Sequence, residues 1–251
     1  MKSRILPTSR TPRLNFFSAV VVLTLLFLGN PVLAQEEPAG KADRPENLPK
    51  GINDSFLDPD MNVEDFIKRF EVESREVFAC REQILAAMQL KPGMSVADVG
   101  SGTGLYVGAL SKTVKESGEV YAIDISPKFV KHLRGRVKDE DLENVEVVMC
   151  SDRDVNLKPN SVDRVFICDV YHHFEFPSLS MKSIYRALRP GGKLILVDFD
   201  RIEGTSREWL LGHIRAPKAV FRKEVEDAGF EFEEEVEVKG FEENYLLRFT
   251  K

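Results

Sequence analysis

Between residues 95 and 199 five short apolar runs alternate with amphipathic stretches. The runs are SVADVG (95–100), EVYAIDI (119–125), VEVVMC (145–150), DRVFICDV (163–170) and KLILVDF (193–199), with helical periodicity near 104–117, 127–138 and 177–189. Strands that are apolar on both faces need cover on both faces, so the pattern predicts a parallel sheet between two helical layers, a doubly wound α/β domain. Upstream, from Val63 to about Leu90, Phe66, Ile67, Phe70, Val77, Phe78, Ile84, Leu85 and Met88 recur near every third or fourth position and predict one or two N-terminal helices. Downstream, a helix near 217–228 precedes EFEEEVEVKG (231–240) and ENYLLRFTK (243–251), which predict an antiparallel hairpin appended to the sheet edge.

Residues 1–34 follow a different pattern. Lys2, Arg4, Arg10 and Arg13 precede an apolar run from Leu14 to Leu28, followed by Val32-Leu33-Ala34. These are the three parts of a secretory signal peptide cut after Ala34, and the run is short of the roughly 20 apolar residues that span a bilayer. The positive flank orients the following domain outward, so the expectation is an exported protein, periplasmic or secreted, with no stable membrane span after cleavage; the alternative is an uncleaved membrane anchor. Residues 35–60 (QEEPAGKADRPENLPKGINDSFLDPD) are rich in Pro and acids and are expected to be a flexible linker, with 61–251 as the folded domain. Hydrophobic residues at 43% and charged residues at 30% are ordinary for a soluble domain, and 3 Cys exclude a disulfide framework. A net charge of -6 argues against binding nucleic acid through its phosphates.

The string VADVGSGTG (96–104) carries the most chemistry. An apolar strand ends at Asp98 and runs into Gly100, Gly102 and Gly104, where glycine permits a tight turn and close approach of backbone to a ligand. A dinucleotide loop, G-x-G-x-x-G, would require glycine where Leu105 or Val107 stands. The loop, with VYAIDIS, SVDRVFICDVYHHF and ALRPGGKLILVDF in order behind it, resembles class I S-adenosylmethionine-dependent methyltransferases over residues 92–200, nearest to the small-molecule enzymes of quinone biosynthesis. The resemblance implies a Rossmann-like seven-stranded sheet of order 3-2-1-4-5-7-6 and S-adenosyl-L-methionine as cofactor. It implies backbone contacts from Gly100, Ser101, Gly102 and Gly104, with Asp98 under the methionine moiety. Asp124, followed by Ile125, would hold the ribose diol, and the acid near adenine would come from Ser151, Asp152 or Asp154, with Asp152 assigned.

The acceptor would meet the end of the fourth strand, where Asp169 and His172 or His173 could contact cofactor and acceptor or take a proton. Only one of two consecutive histidines is expected to face the pocket well. His213 and Arg215 form a second candidate set, Arg215 for an anionic acceptor, and Arg75 or Arg81 could meet the cofactor carboxylate. Scattered cysteines at 80, 150 and 168 and histidines without helical spacing make no metal pattern, so no metal is expected. The function expected is methyl transfer to a small-molecule acceptor. Two alternatives are a non-catalytic exported ligand-binding protein on the same fold and a nicotinamide-dependent oxidoreductase.

Overall fold

The computed structural model describes residues 44–251; the expected signal peptide, and the linker up to residue 43, lie outside the described residues. Four short helices come first: α1 (Asp54–Leu57), α2 (Val63–Phe70), α3 (Glu76–Ala79) and α4 (Arg81–Ala87). Then β1 (Ser95–Val99), α5 (Val107–Val114), β2 (Glu119–Asp124), α6 (Pro127–Asp139) and β3 (Val145–Met149) alternate. β4 (Val162–Cys168), α7 (Pro177–Ala187), β5 (Leu188–Phe199), α8 (Glu208–His213), α9 (Lys218–Asp227), β6 (Glu231–Glu235) and β7 (Asn244–Thr250) complete the chain. The seven strands form one sheet in the order β3-β2-β1-β4-β5-β7-β6. β1 to β5 run parallel and β7 pairs antiparallel with both β5 and β6. This is the expected doubly wound, Rossmann-like sheet.

The central strands are as apolar as their sequences require: every residue of β1 is buried. One core cluster packs β4, β5 and β7 residues such as Val165, Leu196 and Leu247 against α7 and α9. The other places Val96, Phe166 and Ile195 against α4 and α5. Local chemistry sets the helix starts. Ser126 accepts the Phe129 amide and Pro127 occupies the first turn of α6, while Asn62 caps α2. Because β1 is flanked by β2 on one side and β4 on the other, the chain leaves β1 and β4 toward opposite faces, opening a crevice at their carboxyl ends.

Two expectations need correction. Residues 44–60 are not a loose linker: Leu48 and Ile52 are buried, Asn47 bonds to the Arg215 carbonyl, and α1 packs Phe56 against Phe66 and Phe129. Leu48, Ile52 and Phe56, four residues apart in a largely polar stretch, are enough to dock it. β5 also starts at Leu188, where the sequence pattern still continues the preceding helix to about 189 and begins the strand at Lys193. Cys80, Cys150 and Cys168 are free thiols, with β1 and β2 standing between the strands that lead to the last two. Among the described residues no helix is long and apolar enough to cross a membrane.

Gly100 has φ +77°, and a Cβ there would lie 2.5 Å from the Val170 side chain. Gly191 has a similar φ of +74° but open space around it. Both Gly→Ala changes carry the left-handed strain of about 1–3 kcal/mol, and only Gly100→Ala adds a clash. Denaturant unfolding is expected to show Gly100→Ala as the more destabilised variant; equal losses would remove the close approach as the reason for glycine.

Candidate functional site

A cavity of about 720 Å³ opens at the carboxyl ends of β1, β2, β4 and β5. β1 delivers Asp98, and the glycine loop that follows is stitched to β2: the Gly100 and Ser101 amides both donate to the Ile123 carbonyl, at 2.8 and 2.9 Å. The Ser101 hydroxyl donates to the Asp98 carbonyl at 2.8 Å and accepts the Ile123 amide at 3.1 Å. The Asp124 carboxylate accepts the Gly102 amide and, on its other oxygen, the Ser126 amide, both at 2.8 Å. Burial pushes Asp124 up to about 6 against these amides, and pushes Asp98 up to about 7. Asp98, Gly100, Ser101, Gly102, Asp124, Ile125 and Asp152 all line the cavity. Gly104 does not: its φ of +85° and a Cβ position 2.9 Å from Leu133 show that it serves the close packing of loop on α6.

Around the expected adenine end, Asp152 and Asp154 both reach the cavity wall. Asp154 is engaged elsewhere, accepting Arg186 at 2.7 Å and the Asn156 amide at 2.8 Å. The Ser151 hydroxyl turns to the Arg153 and Asp154 amides. Asp152 makes only a 3.9 Å contact with Arg153 and keeps its carboxylate half exposed.

The other end begins at Asp169, which leaves β4 with φ +52°. Asp169 is ion-paired with Arg75 and accepts the Asn244 side-chain amide at 2.7 Å. Desolvation still raises it to about 7, with Arg75 as the main opposing influence. Glu76 accepts the Glu243 and Asn244 amides, so the N-terminal segment is fastened to the loop before β7. Arg75 therefore lines the cavity in an ion pair instead of waiting for a ligand carboxylate.

The expectation that only one of the paired histidines faces the cavity fails. A single 3-10 turn, Tyr171–His173, holds both rings in the wall with centroids 4.2 Å apart. His172 Nδ1 donates to Asp198 at 2.7 Å and its amide reaches the second Asp198 oxygen at 3.1 Å. His213, from α8, lies 5.1 Å from His172 and 5.2 Å from His173 and stacks on Trp209. Desolvation drives His172 and His173 far below the ordinary histidine range and lowers His213, so burial favours the neutral form of all three rings. His173 Nδ1 is buried without a partner.

Asp198, at the end of β5, has no exposed surface and joins this cluster although sequence reading did not select it. The signal was an acid closing an otherwise apolar strand, in the same position as Asp124 on β2. Asn53 and Phe56, which bond to the His173 carbonyl and pack against its ring, were hidden in the supposed linker. Two arginines move out of the site. Arg215 is buried in a two-point pair with Glu224 at 2.8 and 2.6 Å, outside the cavity wall. Arg81 bonds to the Phe78 carbonyl and lies 3.6 Å from Glu73.

Several known proteins are similar to this chain in sequence or fold. Residues 97–196 match the family described as a methyltransferase domain. A demethylmenaquinone methyltransferase from Geobacillus sp. (strain WCH70) is 29% identical over 132 residues, 53% of this chain and 54% of that protein. An uncharacterised 37.1 kDa protein of transposon TN4556 from Streptomyces fradiae is 35% identical over 117 residues, 47% of this chain and 33% of that one. The chain thus spans a third to about half the length of these curated relatives. A solved S-adenosylmethionine-dependent methyltransferase from Aquifex aeolicus superposes with a TM-score of 0.66 at 28% identity, covering 75% of this chain and 98% of that one. Residues 97–196 thus match a methyltransferase domain, the chain has the fold of a solved S-adenosylmethionine-dependent methyltransferase, and S-adenosyl-L-methionine is the cofactor that this match and fold imply.

Proposed function

We propose that the protein transfers a methyl group from S-adenosylmethionine to a small-molecule acceptor. The observation that carries this reading is one cavity with the buried carboxyl groups of Asp98 and Asp124 at one end, a histidine cluster at the other and Asp169 between them. Carboxyl groups that desolvation holds near neutrality gain most from a cationic ligand, and the cofactor is a sulfonium with an ammonium group. When bound it supplies a methyl group that is already electrophilic, so the chain's task is placement. Asp124, with a lone pair left beside the amides of Gly102, Ile125 and Ser126, is the acceptor for the ribose diol. The backbone from Gly100 to Gly102 borders the same space, and Asp152 is the free acid for the adenine end. His172, His173 and His213 then form the wall that the methyl acceptor meets, with Asp169 between the two ends. Leu105 and Val107 in place of loop glycines leave a nicotinamide reading without support.

The demethylmenaquinone methylation named for the Geobacillus relative is one acceptor class to test, since Phe56, Phe199 and Trp209 give the cavity wall aromatic surface. Export through residues 1–34 belongs to the same proposal. The basic flank, the short apolar run and Ala34 support it. The mature protein recovered after export should begin at Gln35 by intact mass; an uncut chain retained in the cytoplasm would overturn this.

Calorimetric titration is expected to show binding of S-adenosylmethionine and S-adenosylhomocysteine and none of NAD. Asp124→Ala should weaken both by about 1–3 kcal/mol, the cost of unpaired buried polar groups; unchanged affinity would remove Asp124 from the ribose. The pH dependence has a definite sign. Before binding, Asp98 near 7 and Asp124 near 6 hold protons in mildly acidic solution, and a cationic ligand favours their ionised forms. Binding should therefore release protons and tighten as pH rises from about 5.5 to 7.5. Titrations in buffers of different ionisation enthalpy read the proton count, and proton uptake would sink the assignment.

A further inference from the structure

The histidine cluster has a property that a hydrophobic wall would lack. Each of His172, His173 and His213 offers one ring nitrogen, and these atoms all lie within 4.8 Å of one another. Asp198 takes the Nδ1 proton of His172, which leaves the Nε2 lone pair free. His173 bonds to the Ile52 backbone through its other ring nitrogen, which leaves Nδ1 as a buried lone pair with no partner. An orphaned buried polar atom costs about 1–3 kcal/mol and calls for a reason.

We propose that His172, His173 and His213 form a binding site for one divalent transition-metal ion of borderline softness, with its remaining coordination position open to the cavity. Three neutral imidazoles are the donor set such ions select over magnesium or calcium. With bonds of about 2.0–2.1 Å, ligand atoms on one tetrahedral ion lie roughly 3.3 Å apart, so binding would draw the three nitrogens, now within 4.8 Å, closer by up to about 1.5 Å. The surroundings match a metal site as well. Asp198 orients His172 in the way that outer carboxylates orient metal-bound histidines, and Ile52 does the same for His173. Trp209 against His213 and Phe56 against His173 supply an apolar shell. Three protein ligands and an open position are the arrangement of a reactive rather than a structural ion. The open position faces the space assigned to the acceptor, so the ion would hold an acceptor bearing an oxygen or thiol donor. That role rests on the methyl-transfer reading, whereas binding of the ion does not.

The test uses Zn²⁺ and Co²⁺ on the chelator-stripped protein, with S-adenosylhomocysteine binding measured in parallel. Equilibrium dialysis is expected to give one Zn²⁺ per chain, and Co²⁺ to give the visible bands of a four-coordinate nitrogen site. His213→Ala, at the most exposed ring, should lose those bands and weaken Zn²⁺ binding at least ~10-fold, and Asp198→Asn should weaken it by about 10–100-fold. Circular dichroism identifies any variant that has not folded, and His213→Gln then replaces it. A folded protein that takes up no stoichiometric Zn²⁺, or a His213 variant with unchanged affinity and spectrum, overturns the site. Zn²⁺ bound with no S-adenosylhomocysteine bound sustains the metal site and sinks the methyl-transfer reading; the converse does the opposite.

Discussion

The carboxylate of Asp124 is the point on which the site turns. It sits at the end of β2 and accepts one amide from the glycine loop and one from the start of α6, so a single buried side chain sets the spacing between two strand ends and a helix. The loop can take that path because Gly100, Gly102 and Gly104 all have positive φ. Burial raises the cost of ionising Asp124, and its neighbour Asp98 adds to the same stored cost. Such an arrangement leaves in the cavity wall two carboxyl groups whose ionised form a cationic ligand would favour.

A second set of buried polar contacts closes the opposite end. Arg75, Asp169, Asn244 and Glu76 link α3, the exit of β4 and the start of β7, and Asp198 links β5 to the paired histidines. These contacts bring an N-terminal segment over the sheet, so the cavity acquires a roof from residues distant in sequence. The roof supplies Phe56 and Arg75, and the region after β5 supplies Trp209 and His213. Since the histidine rings pack against one another in a low-dielectric pocket, protonating any of them is unfavourable, which preserves lone pairs in place of positive charge.

The two halves of the site differ in how far they could be read in advance. The side proposed for the cofactor is local: one strand, one loop and one acid 20 residues past Gly104 form it, and each has a short-range signature in glycine spacing or in an acid closing an apolar run. The acceptor side is assembled from long-range contacts. Asp198 meets His172 from a different strand, and Asn53 meets His173 across 120 residues of sequence. Arg215 shows the opposite error, a residue that looked available until α9 provided Glu224 to neutralise it.

What the sequence by itself determined is the alternation of elements, the sheet they form, and the glycine loop with Asp98 and Asp124, because strand burial and turn chemistry act over a few neighbouring residues. Tertiary structure alone decided that residues 44–60 dock, that both His172 and His173 face the cavity, and that His213 and Asp198 join them. Those outcomes depend on which surfaces pack together, and packing selects partners by shape and desolvation between segments that carry no mark of one another in the linear chain.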